Sequence, residues 1–266
     1  MAFRSVDIRI AWTMRTLLLP CSFVLHLIAH AQPPRVVHVI VALCDNQYQG
    51  IVKVPAGIGN GQNPRTNLYW GAGYGVRTHF DRSPEWKRVP CEAALEEYIL
   101  DRAVWKHRDS AVYLVADAYD GRHIRKATED LLLFASGQGA TDILCGTQLL
   151  QAGGRAHLAV YVGHDGLMDF SLDRNFVGMA NNGRQTIVLA CASQRFFTGP
   201  LRSTGAYPLL WTTGLMAPEA YTLRAALQGW VAHEPPTAIE ERAAQAYNTY
   251  QKCGINGARR LFATGW

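Results

Sequence analysis

Two short stretches of this sequence combine the residue types that thiol chemistry requires. Gly163-His164-Asp165-Gly166 follows one apolar run, and Cys191 follows the next apolar run along the chain. A thiolate attacks a carbonyl carbon, while a nearby imidazole takes the thiol proton and later returns it to the leaving group. A histidine and a cysteine that end neighbouring strands of a parallel sheet open onto the same edge. The pattern therefore predicts Cys191 as a nucleophile with His164 as its base.

The apolar patterns place these residues on an α/β fold. Short β-branched runs predict buried strands over residues 36–43, 111–118, 157–162, 186–190 and 207–212. Apolar residues at helical spacing predict helices around 91–99, 124–134, 218–230 and 237–250, with Pro218 in the first turn of its helix. Strands that alternate with helices imply βαβ units. We therefore expect a three-layer α/β sandwich with a largely parallel, doubly wound sheet.

The blocks YVGHDG and VLACAS resemble the caspase-like cysteine peptidases, a clan that includes caspases, legumain, gingipains, metacaspases and separase. In that clan an apolar strand ends in His-Gly and the next ends in Ala-Cys, and the order of elements over residues 36–230 is similar. The resemblance implies a caspase-like fold in a secreted protein of bacterial type. It implies Cys191 as nucleophile, His164 as its partner and Gly166 as an oxyanion donor. One departure is Asp165, inserted between the histidine and that glycine, where it can shift the donor or orient the imidazole.

The resemblance also implies where substrate side chains bind. Thr212 and Thr213 follow the predicted fifth strand, where such enzymes build part of the primary specificity pocket. A strand end with capping hydroxyls is an equally good interpretation of these threonines. Asp45 ends the first strand and can recognise a basic side chain, although a role in a turn is favoured because Asp is a common turn residue. The implied substrate is a polypeptide, and no cofactor or metal ion is expected.

The N-terminus has the order of a cleavable secretory signal peptide over residues 1–31. Three arginines precede an apolar run that ends in Ala29-His30-Ala31, the small-x-small pattern that signal peptidase cuts. A membrane anchor is the alternative, but the run is short and is interrupted by a proline and a histidine. We therefore expect residues 32–266 to form one exported domain, secreted or periplasmic, without stable membrane insertion after cleavage.

The number of cysteines changes with that cleavage. The chain has six cysteines, and Cys21 leaves with the signal, so an odd number remains. An odd number in an exported protein leaves at least one thiol without an intramolecular partner. The simplest arithmetic gives two disulfides and one free thiol. Five buried thiols are one alternative, and a Cys44–Cys191 disulfide, which would block the thiol chemistry, is another. The remaining candidates for pairing are Cys91, Cys145 and Cys253.

Charge and composition argue against other function classes. The formal net charge of +5 is modest and its basic residues are scattered, so no nucleic-acid surface is predicted. A metal-assisted hydrolase using His157, His164 and Asp169 is disfavoured because the two histidines lie at opposite ends of one short strand. The sequence therefore favours an exported cysteine peptidase, or a transpeptidase of the same chemistry. A non-catalytic module of the same fold that binds a protein partner is the alternative.

Overall fold

The computed structural model describes residues 1–2, 33–179 and 182–266 of the chain. The predicted signal peptide, residues 1–31, therefore lies outside the described residues except for its first two positions. Residues Pro33–Trp266 form one compact unit. In the part of the chain that is described, no helix is long and apolar enough to cross a membrane.

The described residues form ten strands and six α-helices. The strands are β1 (Arg35–Ala42), β2 (Trp86–Arg88), β3 (Ile99–His107), β4 (Val112–Tyr119), β5 (Ala140–Cys145), β6 (Gln148–Gly153), β7 (Leu158–Val162), β8 (Gln185–Leu189), β9 (Tyr207–Thr212) and β10 (Phe262–Ala263). The helices are α1 (Val76–Asp81), α2 (Ile124–Ala135), α3 (Ser193–Thr204), α4 (Ala220–Val231), α5 (Pro236–Gln251) and α6 (Ile255–Leu261).

Eight of the strands form one mixed sheet in the order β10-β9-β8-β7-β1-β4-β3-β2, while β5 and β6 form a separate hairpin. Strands β9, β8, β7, β1 and β4 run parallel to one another. The pairs β10–β9, β4–β3 and β3–β2 are antiparallel. The chain passes from β1 to β4 on one side and later to β7, β8 and β9 on the other. Ligand sites in sheets of this doubly wound order lie beyond the carboxyl ends of the strands.

The central strand β1 shows that helices cover both faces of the sheet. Val37, Val39 and Val41 pack into a cluster that includes α4 and α5. Ile40 and Ala42 pack into a second cluster that includes α2 and α3. A strand buried on both faces needs apolar residues at successive positions, which explains its continuous apolar run. The predicted α/β class with a largely parallel sheet is confirmed, and the layering is that of a three-layer sandwich. A caspase-like fold in particular stays a prediction.

The helix predicted around residues 91–99 is wrong. The chain over residues 91–98 is irregular, and Ile99–His107 forms strand β3 along β4. A disulfide between Cys91 and Cys145 ties the irregular segment to the β5–β6 hairpin. Apolar spacing is a weak guide when an open sheet edge offers a competing partner, because strand formation depends on tertiary context.

The region after β8 differs from the sequence-based expectation in two places. Helix α3 is not predicted by the sequence, because Gly199 and Pro200 lie inside it and both have low helix propensity. Pro218 lies before α4 rather than in its first turn, since α4 begins at Ala220 with Glu219 as its N-cap. The segment that precedes α4 is not helical, and it lines the candidate site described below.

Candidate active site

His164 and Cys191 follow two adjacent strands at the carboxyl edge of the sheet. Strands β7 and β8 are parallel neighbours, and Val162 pairs with Leu189 in their register. His164 comes two residues after Val162, and Cys191 comes two residues after Leu189. Both therefore lie at the same level beyond the ends of their strands. Neighbouring strands lie about 4.8 Å apart. The topology shows that the two strands are parallel neighbours, as the expectation for one shared edge requires, and the pairing of the two residues as a catalytic dyad stays a prediction.

A sharp turn carries Cys191 out of β8 and into α3. Ala192 adopts the left-handed conformation, with φ 48°, and its N–H donates to the Gly214 carbonyl at 2.8 Å. Left-handed geometry costs a non-glycine residue roughly 1–2 kcal/mol, so surrounding contacts must hold it. Ser193 supplies them, because its N–H and Oγ bond the Thr212 hydroxyl and its Oγ also donates to the Val188 carbonyl. The cysteine is thus presented on a rigid strand-to-helix junction.

The thiol of Cys191 is half-buried, and its hydrogen-bond partners lie on one residue. Its Sγ donates to the Met216 carbonyl at 3.5 Å and accepts from the Met216 N–H at 3.4 Å. Among the described residues no hydrogen bond joins the thiol to His164. Catalytic hydrogen bonds are often loose without substrate, so a missing thiol–imidazole bond does not by itself rule out a dyad.

Asp169 orients the imidazole of His164, and sequence reasoning missed this role. The His164 Nε2 lies 2.8 Å from Asp169 Oδ2, which also accepts the Gly50 N–H at 2.9 Å. A Cβ at Gly50 would crowd the Asp169 carboxylate, so glycine allows this close approach without displacing the carboxylate. From the sequence, Asp169 was a candidate only for metal binding. Its position five residues after His164, beyond a single short turn, is the one signal in the sequence that could have indicated this role.

Asp165 and Gly166, which directly follow His164, are buried rather than open to the site. Asp165 is fully buried; its Oδ1 accepts the Leu167 N–H at 2.9 Å, and its Oδ2 has no partner among the described residues. Burial, reinforced by the charge of Asp169, raises the pKa of Asp165 to about 7. Gly166 is buried as well, and a Cβ there would lie 2.7 Å from the Phe170 ring. Tight packing therefore accounts for this glycine, and its oxyanion role stays a prediction.

His164 and Cys191 share one cavity of about 560 Å³. Its walls come from the loops after β1, β7, β8 and β9 and from the end of α5. This position is the one that a doubly wound sheet favours for ligands. The remaining lining residues are mostly apolar, and they are Gly50, Ile51, Val52, Leu68, Tyr69, Met168, Leu215, Met216, Ala217, Pro218, Glu219 and Gln251.

The residues predicted for a substrate pocket lie elsewhere. Asp45 is 2% exposed, and its Oδ1 accepts the N–H groups of Gln47 and Tyr48, which makes it a turn residue. Thr212 is fully buried against Ser193. Thr213 is exposed, and its hydroxyl donates to the Arg260 carbonyl. None of the three predicted residues lines the cavity that holds Cys191.

The cysteines pair differently from the simplest arithmetic. One disulfide, Cys91–Cys145, is present among the described residues, while Cys44, Cys191 and Cys253 are free. The expected second disulfide is wrong because Cys44 is fully buried at the end of β1 whereas Cys253 is exposed at the end of α5. Burial raises the pKa of Cys44 to about 11, so this thiol stays protonated and inert near neutral pH.

The described residues hold no group of three or more His, Cys, Asp or Glu side chains placed to bind a metal ion. His157 instead accepts the Val36 N–H through Nδ1, and His164 pairs directly with Asp169. Comparisons with models of known families, with curated proteins and with solved structures found no match. The fold and the site therefore define the class: an α/β protein with a half-buried cysteine and an Asp-paired histidine in one cavity at the carboxyl edge of its sheet.

Proposed function

We propose that this protein is an exported cysteine peptidase, or a transpeptidase of the same chemistry, that uses Cys191 and His164. The observation that carries the proposal is their placement at one level of two parallel neighbouring strands, in a shared cavity of about 560 Å³. Burial alone does not explain a half-exposed thiol beside a carboxylate-paired imidazole. The strand order and the two motif blocks also support the resemblance to the caspase-like clan.

The hydrogen bonds assign the proton-transfer roles in this proposal. Because Nε2 of His164 donates to Asp169, Nδ1 carries the lone pair and is the ring nitrogen that accepts the thiol proton. The Cys191 sulfur then attacks the peptide carbonyl carbon, and Nδ1–H protonates the leaving amine as the C–N bond breaks. Water hydrolyses the resulting thioester in a peptidase, while an acceptor amine replaces water in a transpeptidase.

Asp169 acts in this scheme as a positioning residue. Its carboxylate fixes the tautomer and the ring orientation of His164, and the Gly50 N–H fixes the carboxylate. An Asp in this place also stabilises the imidazolium that forms after proton transfer. The loop after β1 and the loop after β7 are therefore coupled at the site.

Export is supported by cysteine usage. The Cys91–Cys145 disulfide closes a long loop across an irregular segment, and such bonds persist in oxidising compartments. The signal peptide predicted over residues 1–31 would deliver the chain there. A secreted or periplasmic location is part of the proposal.

Activity-based labelling tests the proposal directly. Folded protein is treated with iodoacetamide and with a peptidyl acyloxymethyl ketone, and the modified cysteine is located by peptide mass spectrometry. Cys191 is expected to react faster than the exposed Cys253, which serves as an internal reference. His164→Ala should slow labelling of Cys191 by about 10²-fold or more, and Cys191→Ala should abolish it. Equal reactivity of the two thiols, together with no effect of His164→Ala, would overturn the proposal.

A second candidate is a non-catalytic module that binds a protein partner through the same loop edge. The observation that favours it is the contact of the Cys191 sulfur with both backbone groups of Met216, which occupies the thiol without involving His164. This candidate requires the Cys191→Ser variant to retain every function of the protein. A peptide-library cleavage screen with that variant as control separates the two candidates.

A further inference from the structure

Glu219 is the only carboxylate among the described residues that line the cavity, and no lysine or arginine lines it. Its Oε2 accepts the Tyr221 hydroxyl at 2.9 Å and the Gln251 Nε2 at 3.1 Å. Both donors are neutral, and within the described part of the chain no cationic side chain forms an ion pair with this carboxylate. Glu219 is therefore held in one orientation, while no cationic side chain among the described residues pairs with its charge.

Most of the remaining lining is apolar, and it includes strongly exposed side chains. Val52 is 91% exposed and Leu215 is 76% exposed. Ile51, Leu68 and Pro218 add further apolar surface. Exposed apolar surface around a cleft is typical of a ligand-binding site. An apolar wall with a single acidic group suits a ligand that has an aliphatic stem and a cationic head.

The segment that carries Glu219 also contacts the thiol of Cys191. The backbone of Met216 contacts the Cys191 sulfur, and Glu219 follows three residues later. A tight turn between them is closed by the Glu219 N–H, which donates to the Ala217 carbonyl at 2.8 Å. One short segment therefore joins the reactive atom to the carboxylate.

We infer that the cavity binds a lysine or arginine side chain of the substrate polypeptide, next to the bond that Cys191 attacks, with Glu219 as the specificity-determining residue. This inference rests on the proposed cysteine peptidase function. The aliphatic stem of lysine or arginine packs on the apolar wall while its charged head reaches the carboxylate. The charge-assisted hydrogen bond formed there compensates a carboxylate that lies partly out of water.

Three peptidyl acyloxymethyl ketones that differ only beside the reactive group, with lysine, norleucine or glutamate, provide the test. Norleucine matches the lysine stem without its charge. The lysine probe is expected to label wild-type protein about tenfold or more faster than the norleucine probe, and the glutamate probe slowest. Glu219→Gln keeps the acceptor oxygen for Tyr221 and Gln251 and should remove most of the lysine preference. Glu97→Gln makes the same charge change at an exposed position and should leave the preference unchanged.

Equal labelling rates for the lysine and norleucine probes in wild-type protein would overturn the inference. This comparison does not depend on whether any variant folds. An unchanged rate ratio in a folded Glu219→Gln variant would overturn the role of that residue. If no probe labels Cys191, the proposed function itself fails, and the cationic site is then tested by calorimetry with lysine and norleucine peptide amides on Cys191→Ala protein. Tighter binding of the lysine amide supports the site, and equal binding of the two amides overturns it.

Discussion

The buried carboxyl of Asp165 makes a measurable contribution to the pH dependence of stability. Burial raises its pKa from the ordinary 3.8 to about 7 in the folded protein. The folded state therefore binds this proton more tightly than the unfolded state does. The contribution is fully present below the unfolded pKa, and it is lost as the pH rises toward 7.

The size of the effect follows from the shift. A difference of roughly three pKa units at 1.36 kcal/mol per unit corresponds to about 4 kcal/mol as an upper value. Asp165→Asn removes the titration and keeps the oxygen that accepts the Leu167 N–H. Between pH 4 and pH 8, we therefore expect wild-type protein to lose about 2–4 kcal/mol more unfolding free energy than the Asn variant loses.

Urea unfolding at half-unit pH intervals measures the difference. The comparison of slopes between the two proteins cancels the titration of groups that do not interact with Asp165. Asp173→Asn serves as the matched control, because the Asp173 side chain is 89% exposed. Parallel stability curves for wild type and Asp165→Asn would refute the reasoning, since they would mean that Asp165 titrates alike in the folded and unfolded states.

Three further changes have defined outcomes. Asp117→Asn should destabilise the protein by about 3–5 kcal/mol in urea unfolding, because it leaves the largely buried Arg102 without its ion-pair partner. Replacing Cys91 and Cys145 together with serine should cost about 2–4 kcal/mol in the same assay, since the disulfide spans 54 residues. Asp169→Asn should lower the rate of active-site labelling by about tenfold or more with little change in stability, because the imidazole loses its orienting carboxylate.

A specific outcome would refute each of these three predictions. If the Asp117→Asn variant were as stable as wild type, the Arg102–Asp117 ion pair would make no net contribution to the free energy of unfolding. Equal denaturation midpoints for the oxidised protein and the double serine variant would rule out a stabilising disulfide. For Asp169→Asn, the rate of Cys191 labelling is measured as a function of pH. If the rate and its pH dependence were both unchanged, Asp169 would have no role in positioning His164.

Much of the architecture follows from the amino-acid sequence. Strands β1, β4, β7, β8 and β9 are recognisable because a strand covered on both faces needs uninterrupted apolar residues. The alternation of strands and helices that the sequence predicts implies a largely parallel sheet, and consecutive parallel strands tend to be neighbours. Those two rules place His164 and Cys191 on one edge before any coordinates are known. The sequence by itself thus determined the α/β class, and it predicted the two residues at the centre of the candidate site.

Other features were decided only by tertiary structure. The irregular chain over residues 91–98 carries a helical apolar pattern, but the disulfide to Cys145 and the backbone bridge between Glu92 and Leu144 set its course. The burial of Asp165, the approach of Asp169 to Gly50 and the exposure of Glu219 to the cavity likewise depend on loops that meet from distant parts of the chain. Loops have no periodicity, so their contacts leave no pattern in the sequence. Periodic burial can be predicted locally, whereas the partners of single polar side chains are set by the packing of the whole fold.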